Sequence, residues 1–328
     1  MIYQDKVYGI ITINEPVLLA LLASSAMQRL RGILQHGITG LIGMTTPTTR
    51  FDHSLGALIL VRQLDGSIEE QIAAMLHDVS HTAFSHVIDY VFDGHDSQSY
   101  HDEKKEDYVA QTDLPAILAA HGYDWHAFLQ EENYPLLEQP SPRLCADRLD
   151  YFLRDSLDLR LGTQDDVALA LANLVVADGR IATHSLATAQ WLGYTFIQAD
   201  DISWANWQEV GLYELTAQAI KRGLAVGAIS DADIWGTDAP MWAKLHAHSD
   251  NDLQALLKLI TPKTQFEWDD TNPTFRISTK LRAIDPDVVD DDGTLRPLSS
   301  LDPVFAQHRT DYLTRKAGKW PMRVISNQ

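Results

Sequence analysis

Cysteine is almost absent from this chain, with Cys145 the single example among 328 residues. One thiol cannot close an internal disulfide, so stability must come from a core, and the composition suits a reducing compartment. Long apolar runs are missing as well. No stretch approaches the roughly 18 apolar residues that a membrane span requires. The opening Met1-Ile2-Tyr3-Gln4-Asp5-Lys6 lacks the basic-then-apolar order of an export leader. The expected location is therefore cytoplasmic, without a membrane partner. Basic charge is scarce: 26 Lys and Arg face 45 Asp and Glu, a net of −19. That balance speaks against extended nucleic-acid contact, which needs clustered cations to release counterions. A small anion remains compatible, because a few Arg side chains and a metal can make one pocket positive inside an acidic protein.

With 45% hydrophobic and 22% charged residues the chain has the composition of an ordinary folded globule, and its length leaves one or two domains open. Residues 7–13 are β-rich and predict a strand or hairpin, after which Glu15-Pro16 opens a helical pattern to Arg31. Residues 37–52, rich in Gly, Thr and Pro, predict a loop. Helices are expected over 54–64, 67–76, 81–91, 142–159, 165–176, 187–194 and 201–226, with Trp204 and Trp207 in the core of the last. The polar stretch 93–105 predicts a loop. Past about Gln265 the texture shifts to short β-like runs at 274–278, 280–284 and 322–325, separated by Asp, Pro and Gly turns. The expected fold is mainly α: a helical domain over 1–262 with a short N-terminal β element, then a small β or α+β appendage over 263–328.

The chemistry concentrates in Met75-Leu76-His77-Asp78-Val79-Ser80-His81, with an isolated His53 upstream and Asp147 downstream. Neutral imidazole and carboxylate are donors for borderline and hard divalent cations, and the lack of thiolates argues against a structural zinc. With 13 histidines, a chance His-Asp neighbour is expected. His77, however, closes the apolar run Ile72-Ala73-Ala74-Met75-Leu76, where an unpartnered polar group is costly to bury. Cys145, two residues before Asp147, reads as a small buried residue in preference to a ligand.

Four stretches carry a family resemblance. They are Met27-Gln28-Arg29-Leu30-Arg31-Gly32-Ile33-Leu34-Gln35; Thr49-Arg50-Phe51-Asp52-His53-Ser54-Leu55-Gly56; His77-Asp78-Val79-Ser80-His81-Thr82-Ala83-Phe84-Ser85-His86; and Ala146-Asp147-Arg148-Leu149-Asp150-Tyr151-Phe152-Leu153-Arg154-Asp155. In order and spacing they resemble the HD superfamily of metal-dependent phosphohydrolases, closest to its deoxynucleoside triphosphate triphosphohydrolase branch, over roughly residues 5–160. The resemblance implies an HD-type helical bundle with His53, His77, Asp78 and Asp147 as ligands to a divalent metal, whether Mn, Fe, Ni, Co, Mg or Zn. Such a cation would polarise a phosphoryl oxygen and acidify a water for attack. His81 and His101 are then candidates for proton transfer, with His86 and Asp89 behind them. Arg50 would offer its guanidinium to the phosphate, unless it pairs with Asp52. Gln35, Arg148, Tyr151 and Asp155 match substrate-contacting positions, with Asp147, Tyr151, Arg154 and Asp158 forming one helix face.

One departure bears on the substrate. Where triphosphate-specific relatives carry an Arg-, His- and Tyr-rich helix, this chain has Asn206-Trp207-Gln208-Glu209-Val210-Gly211-Leu212-Tyr213-Glu214-Leu215, with two glutamates and no basic residue. The expected partner is a small anionic phosphate compound, first of all a nucleotide. Nucleoside monophosphates and other phosphate esters stay open, as do a non-catalytic metal- and nucleotide-binding sensor and a di-iron oxidase. Related enzymes often assemble, so a homo-oligomer is also expected.

Overall fold

The structure, a computed structural model, describes residues 1–92 and 98–325. Part of the polar stretch expected as a loop, residues 93–97, lies outside the described residues. The remainder turns helical at Tyr100–Glu103 and Lys105–Val109.

Helices dominate, with three small sheets at their margins. The N-terminal element is a hairpin, β1 (Ile2–Asp5) against β2 (Gly9–Thr12), so its first strand precedes the expected one. The helix Arg50–Gln63 begins four residues before the expected start. Thr49 and Asp52 form a reciprocal capping box that carries the helix back into the Thr-rich segment. His53 thus sits in a helical first turn. The helix Ile68–Leu76, capped by Ser67, ends at His77. Between His77 and Val87 the chain runs as turns, with Phe84 and Ser85 at positive φ (63° and 51°), and only Val87–Val91 is helical.

The helix Ala146–Asp158 packs against Arg50–Gln63, which in turn packs against Ile68–Leu76. Their contact is close at Gly56, where a methyl group would collide with the Asp150 carboxylate and the Arg154 guanidinium. Ion pairs made by Arg154 to Asp5 and Asp150, both at 2.8 Å, tie the hairpin to this interface. Arg154 therefore points into the core, away from the helix face on which its spacing had placed it.

After the helix Gln164–Asn173 the chain makes β3 (Leu174–Ala177) and β4 (Arg180–Thr183), around a turn with Asp178 and Gly179 at positive φ. This hairpin replaces the end of an expected helix. Leu186–Ala199 leads into a π-helical turn, Asp200–Trp204, before Trp207–Ala225. Trp207 is half exposed, not core. The C-terminal strands divide between two sheets. β5 (Gln265–Trp268), β6 (Phe275–Ile277) and β9 (Trp320–Ile325) form one antiparallel sheet in the order β5-β9-β6, and β7 (Asp287–Val289) and β8 (Leu295–Pro297) extend β3-β4. Phe266, Ile277, Trp320 and Met322 share a cluster with Leu212, Leu215 and Ile220 of the helix Trp207–Ala225. Residues 280–284, expected as a strand, are irregular and run along the cleft described below.

Removing Arg154 would take from two buried carboxylates, Asp5 and Asp150, the guanidinium they share. Arg154→Ala is expected to lower unfolding free energy by about 3–5 kcal/mol, the usual cost of breaking a buried ion pair. Urea titration followed by circular dichroism would measure it.

Candidate metal centre

Two helices, and the end of a third with the turn that follows it, deliver four acceptor groups to one point. His53 Nε2 lies 3.2 Å from His77 Nε2 and 3.0 Å from Asp147 Oδ1. Asp147 Oδ1 is 3.5 Å from His77 Nε2, and the Asp78 carboxylate comes within 3.5 Å of His77 Nε2 and 3.6 Å of His53 Nε2. Both imidazoles are oriented from behind. His77 Nδ1 lies 2.7 Å from the Ala74 carbonyl, and His53 Nδ1 lies 2.7 Å from Asp150 Oδ2. An Nδ1–H donated in each case leaves the Nε2 lone pairs facing each other and the carboxylates.

Such a set fits a divalent cation. Without one, the imidazoles must hold protons: burial opposes their charge, yet Asp147 and Asp150 beside His53, and Asp78 and Asp147 beside His77, hold both pKa values up, that of His77 to about 10. The carboxylates are correspondingly acidic against the pull of burial, Asp78 through Arg50 and His77, Asp147 through the two histidines. A dication would take the place of the protons. Asp147 keeps 26% of its side chain exposed against 1–5% for the other three, which fixes the open side of the cluster.

That side faces a cleft of about 550 Å³ lined by most of the expected site residues, including Arg50, Arg148, Tyr151 and Asp155. Arg50 is already engaged. Its guanidinium donates to Asp78 Oδ2 at 2.7 Å and to Ser85 Oγ at 3.0 Å, while Asp52 pairs instead with Thr49 and Tyr3. Arg148 donates to Glu138, Gln139 and Arg143. Both oxygens of Asp155 are used, one 3.1 Å from His36 Nε2 and the other accepting from Trp204 Nε1 at 2.7 Å. Gln35 lines the cleft with its Oε1 buried and, among the described residues, unpartnered.

His81 and His101 stack beside the cluster, ring centroids 3.8 Å apart, with His86 edge-on to both. His81 Nε2 lies 3.2 Å from Asp78 Oδ1, though not in hydrogen-bonding geometry. Burial and Arg50 push the His81 pKa well down, and burial and the neighbouring histidines do the same to His101. The nearby Asp78 does not reverse this for His81, because Arg50 already balances its charge. Two neutral imidazoles thus sit within reach of the cluster. His86, expected with Asp89 behind the proton-transfer pair, lies 3.1 Å from the Asp89 carboxylate.

Three features were not read from the sequence. His36 sits between Asp155 and Glu209 on the cleft floor, unsignalled by any motif. Trp204, assigned to the core by periodicity, reaches the cleft because the π turn shifts the helical phase. Lys280 and Arg282 line the cleft from the C-terminal segment, where two cations close together in an acid-rich chain were the available signal. Cys145 is fully buried, and burial raises its thiol pKa well above the ordinary range, in keeping with an inert packing residue.

The HD domain family matches residues 50–155. The metal-dependent phosphohydrolase cns2 of Cordyceps militaris is 35% identical over 321 residues, 95% of this chain and 92% of that protein. A shorter stretch, 28% of this chain and 17% of its counterpart, is 32% identical over 106 residues to deoxynucleoside triphosphate triphosphohydrolase SAMHD1 of Danio rerio. Among solved structures, a phosphohydrolase from Bacteroides thetaiotaomicron superposes with a TM-score of 0.70, covering 98% of this chain and 99% of its own at 19% identity, a likeness of fold.

His36, like His77, is held protonated: burial opposes the charge, but Asp155 and Glu209 outweigh it and raise the pKa to about 9. Both folded values exceed the roughly 6.5 of an exposed imidazole. Their stabilisation is therefore complete below about pH 6.5 and is lost as pH rises through about 9 for His36 and about 10 for His77. The urea midpoint of metal-free protein is expected to fall across that window, with Asp155→Asn removing the His36 part. A midpoint independent of pH there would contradict the assignment.

Proposed function

The chain belongs to the HD family of metal-dependent phosphohydrolases, and on that premise we propose that it cleaves a (deoxy)nucleotide or closely related phosphate ester by attack of water. One observation carries the reading: four acceptor groups meet at one point whose open side faces a cleft, with a neutral histidine pair alongside. In this reading His53, His77, Asp78 and Asp147 hold the metal. A bound divalent cation would supply Lewis acidity, polarising a phosphoryl oxygen and lowering the pKa of a water.

The remaining roles belong to side chains. His81 or His101, neutral at working pH, accepts the proton of the attacking water as the new P–O bond forms. The same pair returns a proton to the oxygen of the leaving group as the old P–O bond breaks. Arg50 keeps Asp78 ionised and aimed, and the charge it adds beside the cluster favours a phosphate there. Tyr151, set edge-on to Trp204 with centroids 5.0 Å apart, offers an aromatic wall to a sugar or base. Gln35, Asp155 and Arg148 border the same space as substrate contacts, the last two through groups oriented by their own partners.

Deoxynucleoside triphosphates, for which the zebrafish relative is named, are the first substrates to test. A second reading, a nucleoside monophosphate or another phosphomonoester or diester, is favoured by Asp102, Glu131, Glu132 and Glu138 in the lining, which would repel a polyphosphate tail.

Asp78→Ala and Asp147→Ala should each cut kcat/KM by more than about 100-fold, since even the residues that orient metal ligands cost about 10–100-fold when removed. Metal content should fall with activity, as measured by elemental analysis beside phosphate release across nucleotides and generic esters. Chelation should abolish turnover and divalent ions restore it. Full turnover by a folded Asp78→Ala protein would overturn the reading.

A further inference from the structure

The cations that border the cleft are mostly committed. Arg50 is bound to Asp78 and Arg148 to Glu138. Arg282 donates to the Gln98 side chain and, at 3.2 Å, to the Lys280 carbonyl, so its guanidinium is oriented without a carboxylate partner among these bonds. Lys280 differs from all three. Among the described residues its ammonium makes no hydrogen bond or ion pair, and it remains reachable by solvent at the mouth of the cleft. It is near enough to Asp147, Arg148, Glu138 and Arg282 to feel their charges, and crowding by burial and by Arg282 lowers its pKa. An unpaired ammonium is common on an open surface. Beside an acidic metal cluster in a −19 protein, with carboxylates in excess, it is unusual for the pairing to be left unmade.

We propose that Lys280 is a substrate-binding residue whose ammonium grips the non-bridging oxygens of the substrate phosphate across the cleft from the four acceptor groups, with Arg282 holding its backbone in place. This rests on the reading of the cleft as a phosphate-ester site and adds a contact from outside the segment that matches the HD domain, residues 50–155. The irregular course of residues 280–283 serves that end. A strand there would pair its backbone with a sheet, whereas the observed segment lies along the cleft wall with Leu281 and Ala283 also in the lining. One mobile point charge suits a single phosphoryl group. It accepts any of the oxygens and needs no planar fork.

The test uses the full-length, Mn²⁺-loaded protein with inorganic phosphate as the probe, titrated calorimetrically, together with steady-state kinetics on the best phosphate ester. Lys280→Gln is expected to weaken phosphate binding about tenfold or more and to raise KM by a similar factor, with metal content unchanged. Lys280→Arg should recover most of the loss. Lys319→Gln removes the same charge from an exposed position outside the cleft and should alter neither value. If wild type binds phosphate and Lys280→Gln binds it equally well, or if Lys319→Gln matches Lys280→Gln, the assignment of Lys280 is wrong while the hydrolase reading stands. If wild type neither binds phosphate nor hydrolyses any ester, the hydrolase reading itself fails and Lys280 falls with it.

Discussion

A single buried carboxylate organises the half of this protein that carries the candidate metal centre. Asp150 is fully buried, yet its two oxygens meet three partners: His53 Nδ1 at 2.7 Å, the Arg154 guanidinium at 2.8 Å and the Tyr8 hydroxyl at 2.9 Å. The partners belong to three elements: the helix Arg50–Gln63, the next turn of Asp150's own helix, and the N-terminal hairpin. Through His53 it sets the ring that faces the other acceptor groups; through Arg154 it reaches Asp5; through Tyr8 it draws the N-terminal hairpin onto the helices. A charge placed so deep is tolerable only when it is paired and hydrogen-bonded, as both oxygens of Asp150 are. The hairpin, two helices and the candidate ligand are thus locked to a common geometry. Gly56 completes the arrangement, because a side chain on that helix turn would occupy the space of the carboxylate and guanidinium.

Charge is distributed with corresponding economy. The cluster gathers two carboxylates and two imidazoles, and Arg50 sits against Asp78 where it counters one of the negative charges. Burial, Arg50 and neighbouring histidines, His86 for His81 and both His81 and His86 for His101, all oppose protonation of the stacked pair. Histidines a few ångströms apart therefore differ in kind. Those facing Asp147 hold positive charge or a cation, and those beyond Asp78 are free bases. The same side chain is tuned in opposite directions by which carboxylates it faces and by whether an arginine already neutralises them.

Much of the site could be read from the residues in order. His77 and Asp78 close a run of apolar residues that must be buried, so their polar atoms had to find partners indoors, and His53 and Asp147 lie in motifs with recognisable neighbours. The helices around them carry clear periodicity and caps. What escaped was of two sorts. The hairpin at 174–183 and the early start of the Arg50–Gln63 helix were signalled by a β-branched run with Asp-Gly and by the Thr49-Asp52 capping pair, signals that a helical pattern and a Gly- and Pro-rich neighbourhood outweighed. His36 and Lys280 lie in no motif, and the π turn that carries Trp204 to the cleft has no sequence pattern of that kind.

Local order along the chain therefore determined the helical class, the family and the four acceptor residues, since caps, apolar spacing and contiguous motifs act over a few residues. Tertiary structure alone decided which partner each buried cation takes. Arg50 pairs with Asp78 across 28 positions, not with Asp52 two residues away, and Arg154 turns inward to Asp5 across 149. The reason is physical: a charge in a folded chain is satisfied by whatever opposite charge shares its low-dielectric surroundings, and separation in space, not in sequence, sets the strength of that attraction.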